Sequence, residues 1–318
     1  MRDAGIALIA YDGSEDAAEA IQRAGALIGP RRAVVLHVWD SLAGLLLGTD
    51  IDGLTGSMRE AAEELDSTDA QEAARVSEAG AEIARQAGLD AAPRALRGLP
   101  KAWPAVLREA ERIDAAVVVV GSRGLGGVKS ALFGSVSSGL LHHSVRPLLV
   151  VPPADADSDG EGDAPREPVT IGYDGSEPAG HAIEAAAGLL SGREAISTTI
   201  WTPYTPVAGA GAAGAPAAMI AEAAARLDEG IESAARRTAD EGARLAADAG
   251  LDARAEARQA TGTVWRSLIQ AAREHRSAVV VAGSRGHSAV GAALLGSVST
   301  GLVHNAHLPV LVVPRLEG

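Results

Sequence analysis

Two tandem α/β domains, each a doubly wound, five-stranded parallel sheet with helices on both faces, are predicted by three observations. Short apolar runs alternate with helix-length amphipathic segments along the chain. Landmarks recur at one offset of 162 residues: Gly121, Gly124, Gly134 and Ser135 return as Gly283, Gly286, Gly296 and Ser297, Asp12 as Asp174, Val38 as Ile200, Trp103 as Trp265 and Pro147 as Pro309. The length of 318 residues suits two units of about 100–200 residues. So long a period denotes whole domains, not solenoid repeats. The expected division is 1–152 and 168–318, joined by 153–167, a solvated acidic linker with no Leu, Ile or Phe.

In the first copy, Gly5 to Ala10 is an apolar run closed by the turn residues Tyr11-Asp12-Gly13-Ser14 and reads as a strand. Asp16 to Leu27 has helical spacing. Ala33 to Trp39 is the second strand, Met58 to Ala87 a long Ala/Glu-rich helix, and Ala92 to Leu96 a short third strand. Trp103 to Ile113 places Val106, Leu107 and Ala110 on one helix face. Ala115 to Val120 is too short for a buried helix and reads as the central strand. A glycine-rich loop, a helix from Gly134 to His143 and a last strand, Leu148 to Val151, complete the unit. The second copy places its strands at Val169 to Gly172, Ile196 to Trp201, Ala253 to Ala257, Ala278 to Ala282 and Val310 to Val313. Parallel neighbours require crossover connections, and these are right-handed, which puts helices on both faces. Thr202 to Pro216, with three prolines, is where the second copy departs most; it reads as a lid over the strand ends or as a surface excursion.

One Phe, three Tyr and four Trp leave the cores to Val, Leu, Ile and Ala. A formal net charge of −13 argues against a nonspecific nucleic-acid binder, which needs clustered Lys and Arg. It does not forbid a small nucleotide held by backbone amides. The absence of cysteine excludes disulfides, thiolate metal sites and thiol catalysis. Met1 to Ile9 lacks the charged-then-apolar pattern of a signal peptide. Val207 to Ala221, the most lipid-like stretch, is broken by Pro216 and falls short of the ~20 apolar residues of a spanning helix. The chain reads as cytoplasmic, without a membrane role.

Ligands of open parallel sheets bind beyond the strand C-termini where strand order reverses. The loops leaving the first and fourth strands meet there. One carries Asp12-Gly13-Ser14; the other carries Gly121-Ser122-Arg123-Gly124-Leu125-Gly126-Gly127, repeated as Gly283-Ser284-Arg285-Gly286. Glycines let successive amides turn toward one anion. Nine residues after Gly124, Gly134-Ser135-Val136-Ser137 opens a helix whose N-terminal amides favour phosphate, with Ser135 and Ser137 as hydroxyl donors; Gly296-Ser297-Val298-Ser299 repeats it. This is neither a Walker loop nor the dinucleotide fingerprint. Asp12 also has a reading as a turn or cap residue, with Ser14 better placed as the cap. Arg123 and Arg285 read either as phosphate contacts or as solvent-facing side chains. Lys129 in the first spacer has only Gly291 opposite it. His142, His143, His304 and His307 read as exposed helix-end residues and Trp103 and Trp265 as packing anchors.

On these glycine and serine positions, and on the Ser-Val-Ser-Ser-Gly-Leu-Leu-His-His run after Gly134, the sequence resembles the universal stress protein family in its tandem-domain, ATP-binding branch, over both halves. The resemblance implies strand order 3-2-1-4-5, one ATP per domain, a stress-related regulatory role, and last strands that join the domains into a pseudo-twofold unit. Asp12 and Asp174 match the family's acidic residue near adenine and ribose, and Val38 and Ile200 its second-strand residue at the adenine. Ala10 stands where the second copy has Gly172, with a methyl that would crowd the nucleotide. A carboxylate beside bound ATP would hold Mg²⁺ through water. The expected partners are an adenine nucleotide, a regulatory protein and a second copy of the chain. A slow ATPase and a dimerisation scaffold without nucleotide are the competing readings.

Overall fold

The computed structural model describes residues 5–41, 56–98, 101–124, 134–153, 167–204, 217–284 and 295–315. The first copy runs β1 (Ile6–Ala10), α1 (Glu15–Ile28), β2 (Arg32–Asp40), α2 (Gly56–Gln86), β3 (Asp90–Gly98), α3 (Trp103–Arg112), β4 (Ala115–Gly121), α4 (Ser135–His143) and β5 (Leu148–Val151). The second runs β6 (Val169–Gly172), α5 (Glu177–Leu189), β7 (Glu194–Trp201), α6 (Ala217–Asp248), β8 (Asp252–Gln259), α7 (Val264–Glu274), β9 (Val279–Gly283), α8 (Ser297–Asn305) and β10 (Val310–Val313). The expected linker and most of the Thr202 to Pro216 stretch lie outside the described residues.

The strands form one sheet in the order β3-β2-β1-β4-β5-β10-β9-β6-β7-β8, so each copy has the order 3-2-1-4-5. All pairs are parallel except β5 with β10, whose antiparallel register (Val310 to Val150, Leu311 to Leu149, Val312 to Leu148) joins the copies through their last strands.

Alternation assigns the faces. Ala7, Ile9, Val117, Val119, Leu149 and Val151 pack beneath α1, α2, α5 and α6, whereas Leu8, Val118, Val120, Leu148 and Val150 pack beneath α3, α4, α7 and α8. Both clusters run through both copies, so the core is continuous across the joint. Small aliphatic residues suffice because each buried Val, Leu or Ile side chain contributes roughly 1.5–3 kcal/mol.

The edge strands β3 and β8 extend beyond the runs Ala92 to Leu96 and Ala253 to Ala257 that apolarity marks. Of their added residues Asp90, Arg97, Asp252 and Arg258 are charged, as suits an edge that must not pair with another chain. Trp103 and Trp265 anchor packing in matching ways: a methyl added to Gly139 of α4 would collide with the Trp103 ring, and one on Gly301 of α8 with Trp265. His143 is more than an exposed helix end, since its ring stacks on Trp103 at 4.5 Å between centroids and 8° between planes.

Candidate functional site

Strand order reverses at β1/β4 and again at β6/β9, and the loops of interest leave these strands on the side where they part. The backbone after β1 turns through Gly13 at φ +89°, and after β6 through Gly175 at φ +82°, a left-handed conformation suited to glycine. Asp12 Oδ1 accepts from the Ser14 N–H at 3.0 Å and the Ser14 hydroxyl at 2.6 Å. Ser14 in turn accepts the Ala17 N–H at 3.2 Å as N-cap of α1. Asp174 and Ser176 repeat the turn before α5. Asp12 is therefore a turn residue, but it is also at the glycine loop: a methyl on Gly124 would collide with Asp12 Oδ2.

The glycine-rich loop is closed at its base. The Gly134 N–H donates to the Ser122 carbonyl at 3.0 Å, and Gly296 to Ser284 at 2.7 Å, setting the start of the loop beside the N-terminus of the next helix. The Ser122 and Ser284 amides donate to Val151 and Val313 of the last strands. Gly126, Gly127, Lys129, Arg285, Gly286 and Gly291 lie outside the described residues. Arg123 is exposed, as are Ser135 and Ser297.

The reading of Ser137 as a ligand donor is corrected. Ser137 is 2% exposed and its hydroxyl donates to the Gly121 carbonyl at 2.7 Å, as that of Ser299 does to the Gly283 carbonyl at 2.7 Å. Their protons tie helix to strand; Ser135 and Ser297 keep free-facing hydroxyls at the helix start.

The helix starts differ in a telling way. Whereas α1 and α5 are capped by serine side chains, α3, α4, α7 and α8 have no side-chain cap, and α4 and α8 begin at the glycines Gly134 and Gly296. Gly134 has ordinary extended geometry, φ −73° and ψ 158°, and among the described residues an added Cβ would meet nothing nearer than Ser137 Oγ at 3.5 Å. Neither backbone strain nor crowding by the described residues explains its lack of a side chain.

In the second copy these elements enclose an open cleft of about 180 Å³, below the roughly 300–1,000 Å³ of drug-sized pockets. Gly172, Asp174 and Ile200 line it, with Gly283, Gly296, Val298 and Ser299 on the helix side. Thr198, Thr199 and Leu268 also line it and were not singled out from sequence. The signal was a run of three hydroxyls, Ser197-Thr198-Thr199, between Ile196 and Ile200.

Site walls differ between copies. A methyl on Gly172 would sit 3.0 Å from Leu268 Cδ1. At the matching positions the first copy has Ala10 and the shorter Val106, both packed on the same side, so the extra methyl at 10 is offset at 106. His37 stands in the place of Thr199: its Nδ1 lies 2.9 Å from the Tyr11 carbonyl, as Thr199 Oγ1 donates to Tyr173 at 2.8 Å. Val38 packs at the edge of the same cluster as Ala10. Burial pushes the Tyr11 phenol up, with Asp12 adding to it; burial, Glu241 and Asp174 do the same for Tyr173. Both stay neutral.

No group of three or more His, Cys, Asp or Glu among the described residues is arranged to hold a metal. Among those residues no helix is long and apolar enough to cross a membrane.

Comparison with known proteins agrees with this architecture. The sequence model of the universal stress protein family matches residues 5–152 and 165–314. A universal stress protein of Mycolicibacterium smegmatis is 30% identical over 212 residues, 64% of this chain and 63% of the relative. One of Mycobacterium tuberculosis is 37% identical over 94 residues, 29% of this chain and 28% of the relative. The chain thus matches less than two thirds of the length of these relatives. In fold, it resembles the crystal structure of a universal stress protein from Archaeoglobus fulgidus at TM-score 0.58 and 22% identity, over 98% of this chain and 97% of the other. The chain belongs to the universal stress protein family and carries two of its domains in tandem.

Proposed function

We propose that the chain is a regulatory protein that binds an adenine nucleotide, ATP foremost, once in each domain, and that nucleotide occupancy is read by a protein partner. The observation that carries this is Gly134. A helix start that has room for a capping side chain and lacks one leaves its amides and positive end to a ligand, and the ligand such an end favours is a phosphate. The cleft above Gly172 and Ile200 accommodates the base, and Asp12 and Asp174 stand near the ribose. The described cleft residues supply no evident base paired with a catalytic arginine, so binding, not turnover, is the activity assigned.

One carboxylate per site, with Oδ1 already accepting the amide of Ser14 or Ser176, fits a Mg²⁺ carried by the phosphates and touched through water. It does not fit a protein-built metal cage.

Isothermal titration with ATP and Mg²⁺ tests the proposal. Two equivalents are expected for the wild type and about one for Gly121→Val or Gly283→Val. Binding that survives unchanged in both variants would place the ligand elsewhere.

A further inference from the structure

The first site carries an open polar atom that the second lacks. His37 lies on β2 beside Val38, and its Nδ1 is 2.9 Å from the Tyr11 carbonyl oxygen. A carbonyl only accepts, so the ring proton sits on Nδ1 and Nε2 of the neutral imidazole keeps its lone pair. Among the described residues this is the one hydrogen bond His37 makes. The ring is half-buried, and the buried polar atoms left without a partner among those residues are His181 Nδ1, Ser197 Oγ and Arg258 Nη1, not His37 Nε2. A nitrogen that is neither bonded nor fully buried meets solvent.

The second copy shows what this position faces. Thr199, the repeat mate of His37, lines the cleft, and its hydroxyl donates to the Tyr173 carbonyl at 2.8 Å as His37 does to Tyr11. The threonine spends its one proton there and ends. An imidazole anchored to the same carbonyl carries a second polar atom past the point where threonine stops.

β2 lies two strands from β4 in the sheet, about 10 Å at ordinary strand spacing. A nucleotide with its phosphates at β4 and α4 therefore brings its nucleoside, not its phosphates, to His37. A ligand that covers Nε2 without donating to it strips water from an acceptor and is selected against.

We infer that His37 is a specificity-determining residue of the first site, its Nε2 accepting a hydrogen bond from a donor on the nucleoside, and that the second site, with Thr199 there, lacks this contact. The inference rests on the nucleotide reading above and says how its two sites differ. Adenosine offers two kinds of donor, the amino group of the base and the ribose hydroxyls.

Titration calorimetry on the full chain carrying Gly283→Val reads the first site alone. The probes are ATP, purine riboside triphosphate, which lacks the amino group, and 2′-deoxy-ATP and 3′-deoxy-ATP, which each lack one hydroxyl. ATP is expected to bind about tenfold tighter than one of the three analogues, the scale of one hydrogen bond, and that analogue identifies the donor. Adding His37→Thr, which supplies the Tyr11 carbonyl with a hydroxyl as Thr199 does for Tyr173, should weaken ATP by about the same factor without weakening that analogue further. No loss for ATP, or an equal loss for ATP and every analogue, overturns the inference with the nucleotide reading intact. If either variant does not fold by circular dichroism, nitrogen NMR of the unaltered chain, isotope-labelled in histidine, decides. The bare nitrogen of the ring protonated on Nδ1 should move upfield when ATP and Mg²⁺ are added, as a lone pair does on accepting a hydrogen bond; no movement overturns the inference. No binding of ATP to the unaltered chain overturns the nucleotide reading itself.

Discussion

At the scale of single residues, the fold requires some of the site glycines and not others. Gly13 and Gly175 are needed by their left-handed backbone, and Gly124 by the Asp12 carboxylate against it. Gly134 is needed by neither, so Gly134→Asp separates fold from ligand. The carboxylate would cap α4 and raise stability by a few tenths of a kcal/mol, while repelling phosphate and abolishing nucleotide binding in the first domain. Thermal melting and calorimetry on the same variant check this, and a variant both destabilised and able to bind ATP at both sites would refute the assignment. These distinctions were only partly legible in the sequence. The repeated glycines and serines marked the right loops, but spacing does not tell a hydroxyl aimed at a ligand from one that, like Ser137, donates to its own strand.

At the scale of elements, the order of strands and helices was legible because burial on both sheet faces leaves near-continuous Val and Ile runs, as in Ala115–Gly121. The edge strands β3 and β8 were underestimated for the converse reason, since charged residues such as Asp90, Arg97 and Asp252 meet water at their ends. The pairing of α3 with α4 was half-legible: both tryptophans stood out as anchors, but not the glycines that receive them. Gly139→Ala is expected to destabilise the chain by about 1–3 kcal/mol through overpacking against Trp103. The companion Trp103→Leu should recover part of that loss, as chemical denaturation of the single and double variants would reveal. Strictly additive losses would mean that the two positions do not share one contact.

At the scale of the whole molecule, two domains are bound into one sheet by β5 and β10 and by a reciprocal pair of buried arginines. Arg31 donates to the Leu189 carbonyl at 3.0 Å and Arg193 to the Ala26 carbonyl at 2.8 Å, and the two arginines are themselves repeat mates. Each reaches the last turn of a helix, α5 or α1, whose first turn begins at the other end beside a candidate site. The inner edges are consumed within the chain, and the outer ones, β3 and β8, carry charge, so a homodimer would form through another surface. The central claim concerns what this joined unit holds. Freshly purified protein, denatured and its released small molecules identified by liquid chromatography and mass spectrometry, should yield ATP at close to two equivalents per chain. No adenine nucleotide released, together with no uptake of added ATP and Mg²⁺, would contradict the account and leave a dimerisation scaffold in its place.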